Sequence, residues 1–209
     1  NNDSVISSNV SQGLAGLAAE GGGIYSNASA MTTINEVTIT NNAANGVGAP
    51  EQRGGGGIAT GGGTVNVTFN RIVGNTALGL GGSGIHKDLN PGTTTATNNW
   101  WGCNAGAAAA PCDRAVSAGG AGVTVTSTPH LVLNHTATPN AIVFGQTSAL
   151  TADFLTNSAS AAIAVANLDA IIGTAHAHQN PVLGTHSATQ TSIQAAGNAT
   201  ATFTATGVG

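Results

Sequence analysis

Apolar residues along this chain come in short bursts, one or two at a time, and the bursts repeat. Three segments superpose without gaps: ISSNVSQGL from Ile6, ITNNAANGV from Ile39 and IVGNTALGL from Ile72. Each reads Ile-x-x-Asn-x-x-x-Gly-(Leu/Val). Ile6, Ile39 and Ile72 stand 33 residues apart, as do Asn9, Asn42 and Asn75, Gly13, Gly46 and Gly79, and Leu14, Val47 and Leu80. A second burst lies between them: GGGIYSN (21–27), GGGIATG (55–61) and GSGIHKD (82–88). Its steps are 34 and 27 because loops such as GAPEQR (48–53) change length.

Fixed strands with variable loops predict a solenoid, each coil supplying one inward apolar residue per short strand. The repeated Gly is expected where the backbone turns with positive φ. The repeated Asn is expected to stack on its counterparts, its amide satisfying turn groups that have no ladder partner. TTATNNWW (94–101) aligns with VTITNNAA (37–44) as a final, altered copy.

That copy runs into ATNNWWGCNAGAAAAPCD (96–113), which holds both tryptophans and both cysteines. The last coil of a solenoid presents unpaired strand groups and an apolar cross-section. Trp100 and Trp101 are expected to cover it, each burying on the order of 150–250 Å². Close spacing predicts a Cys103–Cys112 disulfide that ties the following loop over the end. The C-x8-C spacing fits neither redox C-x2-C chemistry nor a zinc ribbon. An exposed sugar-stacking tryptophan pair is the rival reading.

After AVSAGGAGVTVTSTP (115–129) the GGGI pattern does not return. HLVLNHTATPNAIVFGQTSALTADFLTN (130–157) and GNATATFTATG (197–207) alternate apolar and polar residues between turn signals, as sandwich strands do. The expected organisation is a parallel β-helix of about four coils over 1–115, a linker with a short strand over 116–129, and a β-sandwich over 130–209.

Two resemblances sharpen this all-β reading. GGGI(Y) alternating with I-x-x-N-x-A and closing on N-N-W-W-G-C-N-x-G…C-D resembles the right-handed parallel β-helix segments of large bacterial surface proteins. A-T-P-N-A-I-x-x-G-Q-T-S-x-L-T-A with G-N-A-T-A-T-F-T-A-T resembles the bacterial Ig-like repeats of adhesins and invasins. The first resemblance implies a secreted or cell-surface setting and assigns no catalytic residue. In the Ig-like repeats one more strand follows the A-T-F-T-A run, so the sandwich is expected to lack its last strand. Either the chain is a fragment, or neighbouring copies complete one another by strand addition and build a fibre.

Composition narrows the function classes. Only 6% of residues are charged and net charge is −4. The four cations, Arg53, Arg71, Lys87 and Arg114, form no basic run, which argues against nucleic acid as a partner. No apolar run reaches membrane-span length. The amino end lacks the basic and apolar regions of a signal peptide and reads as a mature or excised segment. A low charge weakens repulsion between packed copies.

Candidate chemistry is sparse. The carboxylates are Asp3, Glu20, Glu36, Glu51, Asp88, Asp113, Asp153 and Asp169. In the 33-residue register Glu36 meets Asp3 and then Phe69, so one acidic pair is conceivable at the open end and goes no further. Glu20 and Glu51 lie in loops that cannot be registered. His176, His178 and His186 could gather on one loop; no carboxylate is near in sequence, and a solvated loop is expected. His130 and His135 flank an apolar strand. Thr38 and Thr40 would begin an ice-binding ladder, but the register carries them to Val5 and Ser7, and to Arg71 and Val73. The expectation is therefore a non-enzymatic extracellular structural protein without cofactor or metal, assembling with copies of itself into a filament. Adhesion to glycans or surfaces and a small polysaccharide-active enzyme are the alternatives.

Overall fold

The computed structural model describes residues 4–13, 19–27, 31–46, 54–78, 81–119, 121–179 and 181–207. It is all-β: a parallel β-solenoid of about three turns, then a small antiparallel sheet. The chain divides into two compact units between Leu131 and Val132.

In the first unit every coil visits four sheets in the same order. The first coil lays down β1 (Ser4–Ser7), β2 (Val10–Gln12), β3 (Ile24–Ser26) and β4 (Met31–Asn35). The second repeats them as β5 (Val37–Thr40), β6 (Ala43–Asn45), β7 (Ile58–Thr60) and β8 (Gly63–Thr68). The third gives β9 (Arg71–Val73), β10 (Thr76–Ala77), β11 (Ile85–Lys87) and β12 (Gly92–Thr95). The stacks are β1-β5-β9, β2-β6-β10, β3-β7-β11-β13 and β4-β8-β12-β14. β13 (Ala115–Ser117) and β14 (Val123–Thr126) form a partial fourth coil, where about four coils were expected.

The register follows the sequence steps. Ile6 pairs Ile39 and Ile39 pairs Ile72; Ile24 pairs Ile58 and Ile58 pairs Ile85. These side chains form the core with Ile34, Val65, Val67, Ala96 and Trp101. Glu36, Phe69 and Asn98 share one corner, all left-handed at φ 55°, 57° and 54°. A bulky residue such as Phe69 disfavours that region, so the coil shape imposes it there. The left-handed backbone expected of Gly13 and Gly46 is found instead at Gly21 and Gly55, φ 61° and 68°, while Gly79 lies outside the described residues. Leu14, Val47 and Leu80 lie outside them too. In the GGGI turns the need is room: a Cβ on Gly56 would sit 2.2 Å from the Thr76 carbonyl oxygen.

Residues 116–129, expected as a linker, belong to the solenoid. β13 pairs β11 and β14 pairs β12, both parallel. Asn98 N donates to Pro129 O and Leu131 N to Asn99 O, so the coil continues to Leu131. The alternating VTVT of β14 matches TTT of β12 on the same path, which a Gly-rich approach disguises in sequence.

The second unit is one four-stranded sheet, ordered β15 (Leu131–Thr138), β16 (Thr147–Asn157), β18 (Asn198–Ala205) and β17 (Gly184–Ser187). The alternating runs do form strands, with Ala152, Phe154, Ala199 and Ala201 buried on one face. Among the described residues there is no second sheet of a sandwich. The segment between β16 and β17 forms turns, a 3-10 turn at Val165–Asn167 and isolated bridges. Its Ile163, Leu168 and Ile171 are buried, as is Ile193 beyond β17. Irregular cover replaces paired strands because this segment lacks sustained alternation and is broken by Gly173 and Pro181.

Candidate functional site

The closed end of the solenoid is built from two columns of amides. Asn9 N and Nδ2 donate to Asn42 Oδ1, both at 3.0 Å, and Asn42 N and Nδ2 donate likewise to Asn75 Oδ1. Asn42 Nδ2 also donates to Ile6 O, and Asn75 Nδ2 to Ile39 O. Each side chain therefore satisfies turn groups on two coils, as its position predicted. The column ends on Asp113, whose Oδ2 accepts from Asn75 N and Nδ2. Burial, the largest cause, raises the Asp113 pKa, and hydrogen bonds from Asn75, Gly74 and Ser83 oppose the rise.

Asn99 stands in a different column. Its Oδ1 accepts from Asn70 N and Nδ2, and Asn70 Oδ1 accepts from Val37 N. The text alignment of Asn99 with Asn42 is thus corrected: Arg71 pairs Trp100, which places Trp101 over Ile72. Trp101 extends the Ile6–Ile39–Ile72 stack and is fully buried, and Trp100 is buried beside it. Residues 102–112 then leave the coil path as a loop, pinned by the Cys103–Cys112 disulfide with Cα atoms 5.2 Å apart. Ala107 and Cys112 of that loop join the core with Trp101.

At the first coil the described residues cover the same core less completely. Ile6 and Ile24 are only partly buried, while Ile39, Ile72, Ile58 and Ile85 are fully buried. Among the described residues β1, β2, β3 and β4 have strand partners on one side alone, as do β10, β13 and β14 at the other end of their stacks.

Charge gathers at one place on the solenoid, at the ends of β3 and β11. Glu20 bridges Gly54 and shares a hydrogen bond with Tyr25. Burial and the nearby Asp88 charge raise the Glu20 pKa, and burial with the Glu20 and Asp88 charges raises that of Tyr25. Asp88 is committed to its turn, Oδ1 accepting from Leu89 N at 2.6 Å and Oδ2 from Asn90 Nδ2 at 3.0 Å. Lys87 is fully buried, its Nζ donating to the carbonyls of Gly61, Asp88 and Asn90. Burial lowers its pKa and the Asp88 charge opposes this. The loop carrying Glu20 has no fixed register, so no spacing along the chain announces this meeting. Glu36 sits at its corner beside Thr68, and Asp3 and Glu51 lie outside the described residues.

The second unit brings four histidines into a row. Ring centroids of His135 and His176 are 5.3 Å apart, His176 and His178 4.6 Å, His178 and His186 6.2 Å, and His186 and Phe203 5.8 Å. The Nε2 atoms of His176 and His178 are buried without hydrogen-bond partners. His176 and His178 lie on an irregular, partly exposed segment, as expected, but their rings meet those of His135 from β15 and of His186 in tilted and edge-on contacts. Among the described residues no three His, Cys, Asp or Glu side chains are arranged to hold a metal ion.

No protein-family model, curated protein or solved structure gives a significant match to this chain.

Proposed function

We propose that this protein is a non-enzymatic structural module of an extracellular surface or matrix assembly, and that copies associate through the open first coil of the solenoid. The supporting observation is the asymmetry of its two ends. Towards one end the core is filled by Trp101 and the disulfide-pinned loop, whereas at the first coil Ile6 and Ile24 are only part-covered by the described residues. Such an edge accepts a further strand layer through main-chain bonds, with apolar burial adding to them. The disulfide fits an oxidising compartment, and the motif resemblance to bacterial surface β-helices and Ig-like adhesin repeats points to the same setting.

The test is sedimentation velocity and electron microscopy over a concentration series, comparing the native chain with Ile6→Asp. Association that grows with concentration in the native chain and is lost in the variant supports this reading. A native chain that stays monomeric up to its solubility limit, or a variant that assembles equally well, sinks it.

A second reading, an adhesive module for a surface or glycan, has its own observation. Val143, Phe144, Val182 and Leu183 are 66%, 68%, 78% and 47% exposed. Gly145 N donates to Ala205 O and Thr206 N to Leu183 O, so the two segments that carry them flank the end of β18 on its two sides. Exposed apolar groups concentrated in this way mark binding surfaces.

A further inference from the structure

Residues 132–209 contain four of the six histidines and no Lys, Arg or Glu; their charged side chains are Asp153 and Asp169 alone. The histidines therefore decide the sign of this unit's side-chain charge, which runs from two negative with neutral imidazoles to two positive when all four are protonated.

Their placement is specific. His186 pairs Phe203, which pairs Ser148, so all three share one face of the sheet. His135 comes from β15, His176 and His178 from the segment Thr174–Gln179, and His186 from β17. That segment is an irregular stretch tied to its surroundings by a short bridge: Thr174 N donates to Ile171 O, Thr174 O accepts from Ile193 N, Ala175 bridges Ser192, His176 N donates to Thr191 O, and His186 Nδ1 donates to His178 O at 3.1 Å. From β16 the facing residues are Ser148, Leu150, Ala152 and Phe154, and from β18 they are Ala201 and Phe203; none titrates. Asp153 lies on the opposite face, where its Oδ1 accepts from Asn134 Nδ2. Asp169 belongs to the turn after Val165–Asn167, seven residues before His176. No carboxylate thus stands within the row to balance a positive charge.

We propose that the histidine row is an acid-sensitive latch: proton uptake frees Thr174–Gln179 and β17 from the sheet and opens the edge of β18 to strand pairing. A proton on the buried Nε2 of His176 or His178 makes a cation whose N–H finds no acceptor, with another imidazole 4.6 Å away. Both effects favour the detached segment, where water solvates each ring. Burial first, and the neighbouring imidazoles second, lower the pKa of His176 and of His178, and at His178 a backbone hydrogen bond with Ala199 opposes part of the shift. With folded values below the free one, the attached state is fully favoured above about pH 6.5 and is lost as pH falls through the folded values. β17 is the edge strand that covers β18, so its departure replaces a short edge by an eight-residue one. The device does not depend on how the solenoid end is used.

Hydrogen–deuterium exchange of the full chain at neutral and mildly acidic pH, corrected for the intrinsic pH dependence of exchange, tests it. Amides of β17 and of Thr174–Gln179 should lose at least tenfold in protection on acidification while β5 and β8 keep theirs. The variant His176→Gln/His178→Gln should keep its protection. Unchanged protection in the native chain, or equal loss in the variant, overturns the proposal. Should the variant fail to fold, imidazole titration of the native chain by NMR decides: midpoints for His176 and His178 at or above about 6.5 overturn it, and midpoints below support it.

Discussion

The main-chain N and the Nδ2 of Asn75 both donate to a single oxygen of Asp113, at 3.0 and 2.7 Å. A carboxylate thus occupies the place that an Asn holds on each preceding coil, and it ends the column in a buried setting where ionisation is disfavoured. Two donors aimed at one oxygen offset only part of that penalty.

Replacing Asp113 by Asn keeps an acceptor oxygen and removes the buried charge. A carboxyl with a raised folded pKa contributes stability that is fully present below its unfolded value and is lost as pH rises through the folded value. Asp113→Asn should therefore match the native chain near pH 4 and exceed it at pH 7, on an approximate scale set by the free carboxyl value of 3.9. Urea midpoints at the two pH values check this; a difference that shrinks with rising pH contradicts it. Asn42→Leu is the contrasting variant, leaving Asn9 N and Ile6 O without their partner at a loss of roughly 2–4 kcal/mol.

Trp101 fills the core where the coil path ends, so Trp101→Ala should lower stability by about 3–5 kcal/mol through the cavity it leaves. Replacing Cys103 and Cys112 by Ser should lower it by roughly 2–3 kcal/mol, the chain-entropy value for so short a loop. Because the loop that the disulfide pins also walls the Trp101 site, the combined variant should fall short of the sum. Equilibrium denaturation of the four proteins reads the coupling. Additive losses would mean that the loop does not support the indole.

Lys87 offers a different test. Its ammonium gathers the carbonyls of Gly61, Asp88 and Asn90, and Lys87→Met would leave all three without that donor and Asp88 without its neighbouring cation. A loss of about 3–5 kcal/mol is expected, as for a buried charge cluster stripped of one partner. Thermal melts would show it, and a variant as stable as the native chain would mean that water or rearranged backbone takes the ammonium's place.

Much of the solenoid was legible because coil stacking is a one-dimensional repeat. The 33-residue step of Ile6, Ile39 and Ile72 and the 34 and 27 steps of Ile24, Ile58 and Ile85 are the observed registers. The misplacement of Asn98-Asn99 shows the limit. The Asn98-Asn99 pair looks like Asn41-Asn42 in sequence but belongs to the corner of Phe69-Asn70, because the loop 102–112 replaces a strand and the Arg71–Trp100 pairing sets the phase. The place of Asp113 at the end of the column is not legible from its residue type, because acceptor geometry, and not residue identity, is what the column repeats. In the second unit the alternation of β16 and β18 was readable, but the irregular cover and the histidine row depend on contacts between distant segments that no local pattern announces.

The amide column also has a direction. Each contact between its side chains runs the same way, the amide N–H of one coil donating to the amide oxygen of the next, while Nδ2 of Asn42 and of Asn75 also donates back to a main-chain carbonyl of the coil before. Substituting one heteroatom, oxygen for nitrogen, leaves Asp113 with an acceptor where each Asn before it also carries N–H donors, and the series of side-chain amide donors ends there.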